Sequence, residues 1–297
     1  MHRPALGSHS HTYSHQLGVL LFFLGLITFA IFDAGSKYFL DIYPAPFLNS
    51  IRYSTVGCVA ILMVLRHGLT LSSPLPWRAL LLRGIALGTV GTAFMTALAS
   101  MPLAEATAIY FTSPLIIVAL SPWMLQETVH RAQWVAVIGG LIGMLLIVRP
   151  GGNLPWLGTT LMVVAALSFA LFQLLTRRLA GQVPGHIQYA STALICWIIT
   201  AIPAPFFLPD TWPSTTHWIM LIGLGMLNAT GQLLLIAAFQ RVSASTLAPF
   251  NYCQLLMAVA ISTWFFHQTP DLLALLGIAC IICAGIFLAR HSRPTHS

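Results

Sequence analysis

The sequence predicts an all-α integral membrane protein: ten transmembrane helices arranged as two inverted five-helix repeats. Three observations lead there. Hydrophobic residues make up 58% of the 297 residues and charged ones 6%, against roughly a quarter charged in an ordinary soluble domain. So few charges cannot coat a water-facing surface, so lipid is the outer solvent. Apolar stretches of about 20 residues, the length that crosses a hydrocarbon core about 30 Å thick, then fill nearly the whole chain. Finally, the pattern of the first half returns in the second at a constant offset.

In chain order, residues 1–16 form a polar leader carrying His2, His9, His11 and His15. Histidines without acidic or thiol partners are weak metal ligands, so a disordered cytoplasmic tail is expected. The first apolar run, 17–39, has no small-residue cleavage site behind it and reads as a span, not a removable signal. Spans 46–65 and 79–99 follow the connections DIYPAP and RHGLTLSSPLPWR; span 104–124 follows SMPL, and 132–149 follows QETVHR. After RPGGNLP come 154–176, then 187–207, 216–239, 244–266 and 270–290, with a second short tail at 291–297. Proline, glycine and charge punctuate each connection. None is long enough to hold a domain, so helices consecutive in sequence run antiparallel. The five cysteines all lie inside apolar segments, Cys280 and Cys283 within one continuous helix, and read as packing residues.

The formal charge of +7 is read as orientation and not as a nucleic-acid surface. With the N-terminus in the cytoplasm, Arg3, Arg66, Arg78, Arg131, Arg177, Arg178, Arg241, Arg290 and Arg293 fall at cytoplasmic ends. Lys37 and Arg149 fall at external ends, alongside Asp41, Glu105, Asp210 and Asp271. Loops that stay in the cytoplasm collect Lys and Arg. The expectation is therefore a multi-pass protein of the cytoplasmic (inner) membrane with both termini inside.

The repeat has an offset of 140 residues: LGVLLFFLGLITFAIFDAGSK from Leu17 is echoed by LGTTLMVVAALSFALFQLLTR from Leu157. Leu17, Gly18, Leu21, Phe29, Ala30 and Phe32 return as Leu157, Gly158, Leu161, Phe169, Ala170 and Phe172. Pro44 pairs with Pro184, Gly91 with Gly231, Ala104 with Ala244 and Ala108 with Ala248. Any one match between apolar helices is uninformative; one offset held across four helices without a gap is not. Residues 17–149 and 154–290 thus each hold five spans, and an odd number inverts one copy relative to the other. Inverted repeats place a binding site at their interface near mid-membrane and support alternating access.

On these residues the chain resembles the drug/metabolite transporter superfamily, EamA type. The segment MPLAEATAIYFTSPLIIVALSPWMLQETVHRAQWVAVIGGLIGMLLIVRP is similar to the end of that family's first repeat, with Ala104, Ala108, Pro114, Glu127 and Trp134 as cues. VSASTLAPFNYCQLLMAVAISTWFFHQTPD is similar to the end of the second, although His267 and Gln268 stand where the family often has a Glu. FAIFDAGSKYFLDIYPAPFLNSIRY resembles the opening of a branch that includes S-adenosylmethionine and riboflavin transporters. The resemblance covers essentially the whole chain. It implies a secondary transporter of an amino-acid-like, nucleoside-like or vitamin-like metabolite, with a central cavity lined by spans 1, 3, 4, 6, 8 and 9.

Ionisable groups in a membrane are costly and usually face a cavity or a partner. Asp33 and Lys37 in the first span share a helix face, one turn apart. Arg52 in the second span lies at a similar depth to Asp33, roughly 9 Å inside the external end, so an Asp33–Arg52 pair is available. Read structurally it ties two helices together; read functionally it meets a charged part of a substrate. The second repeat answers with neutral Gln173 and Thr192, and with the amides Asn228, Gln232, Asn251 and Gln254. Tyr110 and Tyr252 add aromatic surface. The expected pathway is therefore Asp33, Lys37, Tyr110, Gln173, Asn228, Gln232, Asn251, Tyr252 and Gln254, with Arg52 in support. Pro114, Pro122 and Pro249 are expected to kink spans 4 and 9.

The sequence holds no nucleophile–base pair, no H-E-x-x-H, no metal-ligand cluster and no nucleotide-binding loop. No enzyme activity, cofactor or metal is expected. An intramembrane enzyme acting on a hydrophobic substrate, or a non-transporting scaffold, is the alternative reading. The expected partners are a small-molecule substrate and the lipid bilayer, with a coupling proton or ion and a homodimer as further candidates, and no nucleic acid.

Overall fold

The computed structural model describes residues 8–67, 75–126, 129–148, 154–179, 182–239, 241, 250 and 252–291. Among them are α1 (Ser8–Leu40), α2 (Ala45–His67), α3 (Trp77–Ser100), α4 (Leu103–Tyr110), α5 (Ser113–Met124) and α6 (Arg131–Val148). The second half contributes α7 (Trp156–Leu179), α8 (Gly185–Ala201), α9 (Thr215–Phe239), α10 (Tyr252–Trp264) and α11 (Leu272–His291). Among the described residues, eight segments are long and apolar enough to cross a bilayer, counting α4 and α5 together; α10 and α11 are shorter apolar helices. No strand occurs among the described residues. These ten crossings are the predicted ones.

The outward faces explain why the fold needs lipid. Leu20, Ile31, Leu62, Leu65, Val135, Leu145, Ile198 and Ile219 all stand exposed around the barrel of helices. In water each would forfeit about 1.5–3 kcal/mol of burial; against acyl chains the cost vanishes. Trp77, Trp123 and Trp134 ring one face and Trp156, Trp212 and Trp264 the other, all exposed near helix ends. Tryptophan prefers that boundary because its ring is apolar and its N–H is polar.

The helices pair reciprocally across the two halves. α1 packs on α9 and α3 on α7; α2 packs on α8 and α9, and α3 on α8; α6 packs on α11 and α4 on α10. Under the 140-residue offset α1 corresponds to α7, α2 to α8, α3 to α9 and α6 to α11. Each pairing among these eight helices then maps onto itself or onto another in the set, as an inverted repeat demands. Small residues let the backbones close. A Cβ on Gly84 or Gly88 of α3 would meet Ile195 or Ile199 of α8, and one on Gly143 of α6 would fall on the Gly277 carbonyl of α11. The main apolar core lies where α3, α4, α7, α10 and α11 converge, around Leu98, Met101, Leu103, Met162, Leu255 and Ile281.

Three local differences from expectation stand out. Helix α1 starts at Ser8, so the expected disordered tail is helical over its second half; residues 1–7 lie outside the described residues. Span 4 is two helices, because the chain turns at Phe111 and Thr112 ahead of Pro114, which sits in the first turn of α5. Pro122 remains inside α5. Span 7 ends at Ala201 and is followed by a short 3-10 turn, Ala204–Phe206, opened by Pro203. Pro249 and Glu127 lie outside the described residues.

Candidate functional site

Three of the predicted residues reach one depth by simple helix arithmetic. Asp33 stands seven residues before the end of α1, Arg52 seven after the start of α2, and Tyr110 seven after the start of α4. All three termini lie at the same face, so the three side chains start roughly 10 Å inside it. Polar groups at that depth have no water and must find one another.

The oxygen Oδ2 of Asp33 accepts a hydrogen bond of 3.1 Å from Gln254 Nε2 of α10. This bond joins the first helix of one half to the penultimate helix of the other. Arg52 donates from Nη2 to the Tyr53 hydroxyl at 2.7 Å. Its Cζ lies 4.4 Å from the centre of the Tyr53 ring and 5.1 Å from that of Phe32. Such stacking holds a guanidinium without neutralising it. Its Nε is buried and has no hydrogen-bond partner among the described residues. Asp33 and Arg52 lie within electrostatic reach of each other, but among the described residues they form no ion pair within 4.0 Å. The two are held by different partners, an amide and an aromatic cage.

Tyr110 lies within electrostatic reach of Asp33, Tyr53 and Arg52. Its ring packs 5.3 Å from Phe94 and 5.1 Å from Phe169. A cavity of about 20 Å³ borders the cluster between Phe32, Ser36, Arg52, Met95 and Leu224, room for about one water. A wider cleft of about 300 Å³ opens at the same face between Asp41, Tyr43, Pro44, Asp210 and Thr211. Beside it Tyr43 Oη and His217 Nδ1 share a hydrogen bond of 2.6 Å.

The other predicted residues sit elsewhere. Lys37 is buried and donates from Nζ to the carbonyls of Leu98 at 2.7 Å and Met101 at 3.1 Å. An ammonium at that position satisfies carbonyls orphaned by the end of α3 and meets the negative end of its dipole. Tyr252 is buried against Phe111 and Gly285 in the main core, its hydroxyl without a partner among the described residues. Gln173 and Gln232 are half-buried and Asn228 is buried; none has a side-chain hydrogen bond among the described residues. Asn251 lies outside the described residues.

Sequence reasoning passed over two charged residues. Arg83 of α3 is buried, donating from Nε to Thr176 Oγ1 at 2.8 Å and from Nη1 to the Gln188 carbonyl at 2.8 Å and to Thr192 Oγ1. Glu105 is buried in the first turn of α4, and one of its carboxylate oxygens has no partner among the described residues. The signal was present in both cases: each stands inside a predicted span, close enough to its end to be taken for a loop residue.

Known proteins resemble this chain in sequence and in fold. The model of the EamA-like transporter family matches residues 16–149 and 156–290. An S-adenosylmethionine uptake transporter of Rickettsia bellii is 28% identical over 96% of this chain and 97% of its own length. The pseudopaline exporter CntI of Pseudomonas aeruginosa is 26% identical over 92% of this chain and 96% of its own. A riboflavin transporter of Vibrio cholerae is 29% identical over 64% of this chain and 63% of its own. A protein of solved crystal structure shares the fold at a TM-score of 0.63 and 21% identity, over 94% of this chain and 97% of that one.

Proposed function

The chain belongs to the EamA-like transporter family, a family of membrane transporters and not of enzymes, and on that premise we propose that it is a secondary transporter working by alternating access between its two halves. Its relatives are named for three different small metabolites, and we infer an amino-acid-like, nucleoside-like or vitamin-like cargo here. The observation that carries the reading is the Asp33–Gln254 hydrogen bond across the halves, with Arg52 and Tyr110 at the same depth. A contact that joins the halves at one face must part when that face opens, so a polar ligand there competes with it directly. We place the chain in the cytoplasmic membrane with both termini inside, an orientation that the arginine distribution supports. Asp33 is the carboxylate in the pathway suited to a coupling proton or ion.

The test is uptake by proteoliposomes of labelled S-adenosylmethionine, riboflavin and a panel of amino acids and nucleosides. Saturable uptake of at least one is expected; equal, non-saturable leakage of all would remove the proposal. Orientation is checked by labelling Asp210→Cys and Arg178→Cys in intact cells with an impermeant thiol reagent. Reaction at 210 and protection at 178 is expected, and the reverse would invert the topology.

A further inference from the structure

The 140-residue repeat sets the surroundings of Arg52 and Arg83 over one another. Arg52 stacks on Phe32 beside Ser36. Arg83 stacks on Phe172, 4.5 Å from its ring centre, and donates to Thr176 and Thr192. Phe172, Thr176 and Thr192 are the repeat counterparts of Phe32, Ser36 and Arg52 itself. The two guanidinium groups thus occupy equivalent pockets of the two halves, one supplied by α2 and the other by α3. Because the halves are inverted, the pockets face opposite ways. Arg52 lies seven residues from one face and Arg83 six residues, roughly 9 Å, from the other. The bilayer normal separates them by roughly 15 Å, given helices of 23 and 24 residues.

Neither cation has a full counter-charge. Arg83 bonds only to neutral oxygens, and among the described residues no carboxylate lies within ion-pair distance of either arginine. Ionisable side chains inside a membrane usually pair with one another or with backbone carbonyls; Arg83 has one such carbonyl and two hydroxyls, and Arg52 a single hydroxyl. A carboxylate or phosphate oxygen from a ligand would satisfy each group with charge-assisted bonds. Resting on the alternating-access reading above, we propose that Arg52 and Arg83 are two stations for one anionic group of the cargo, each serving the state open to its own face. The cargo then carries a carboxylate or a phosphate, and the anion leaves one guanidinium as it meets the other.

The probes are sodium phosphate, sodium succinate and S-adenosylmethionine, titrated against the thermal unfolding of full-length protein in nanodiscs, with sodium chloride at equal ionic strength as control. At least one probe is expected to raise Tm saturably above the control. Arg52→Gln and Arg83→Gln are each expected to weaken its apparent Kd by about 10-fold or more, with Arg83→Lys recovering part. In oriented proteoliposomes Arg52→Gln raises KM from its own face and Arg83→Gln from the opposite one. No stabilisation by any probe overturns the stations. So does an Arg83→Gln protein of lower Tm but parental Kd, the signature of a structural arginine; should that variant not fold, parental Kd in Arg83→Lys does the same. Anion binding without any uptake rejects the transport reading, and the stations with it, and leaves the two arginines as anion sites only. Uptake untouched by either glutamine variant rejects the stations and leaves transport.

Discussion

Replacing Lys37 separates holding the fold from handling the cargo. Its ammonium donates to two carbonyls at the end of α3, at 2.7 and 3.1 Å, and is 5% exposed. Lys37→Met keeps the length of the side chain and removes both donors. Hydrogen bonds from a charged donor contribute about 1.5–3 kcal/mol each, partly offset by no longer burying an ammonium, so a net loss of about 2–3 kcal/mol is expected. For a chain of this size that lowers Tm by about 3–5 °C. Lys37→Arg, whose planar fork cannot point both donors at carbonyls three residues apart, is expected to fall between. Thermal unfolding in detergent gives Tm, and uptake of whichever probe the parent carries gives KM. The KM is expected to stay at the parental value. An unchanged Tm with uptake abolished would put Lys37 in the pathway and refute the capping argument.

Four further substitutions test the packing. Gly277→Ala drives a Cβ onto the Gly143 carbonyl and Ile147 and should cost about 2 kcal/mol in thermal unfolding; Gly57→Ala, with nothing within 4 Å, should be neutral or stabilising by up to about 1 kcal/mol. Gly91→Ala places a methyl against the Tyr53 ring and hydroxyl, so Arg52 loses its partner, with Tm lowered and probe affinity weakened together. Gln254→Leu removes the donor to Asp33 and should destabilise by about 1–3 kcal/mol, read as a lower denaturation midpoint.

The fold was legible because lipid imposes a blunt rule: every crossing must be a long apolar helix. The repeat was legible because Phe32, Phe172, Gly91 and Gly231 keep one offset. The break at Phe111–Thr112 was hinted at by Pro114, but a proline in the first turn of a helix ends the preceding one instead of kinking a continuous one. The site was only half legible. Depth follows from counting along a helix, and it sets Asp33 and Arg52 at one level, where the structure also has Tyr110. Azimuth does not, because a helix apolar on all sides gives no periodic signal of which face is inward. Lys37 shares a face with Asp33 yet reaches past it to α3, and Tyr252 turns into the core. Arg83 shows the same limit: its acceptors Thr176, Gln188 and Thr192 lie about a hundred residues away and are brought to it by packing alone.

If the polar cluster joining the two halves is the cargo's path, Asp33→Asn disables transport and spares the fold. Asparagine keeps an oxygen for the Gln254 amide and nearly the same volume, so the helices stay joined while the negative charge goes. Uptake by proteoliposomes of the best-transported probe is measured beside Tm, at matched protein levels, with Asn228→Ala as a second variant. Asp33→Asn is expected to lose about 10-fold or more in kcat/KM with Tm close to the parent. Both variants transporting like the parent, with only their thermal stability reduced, would contradict it.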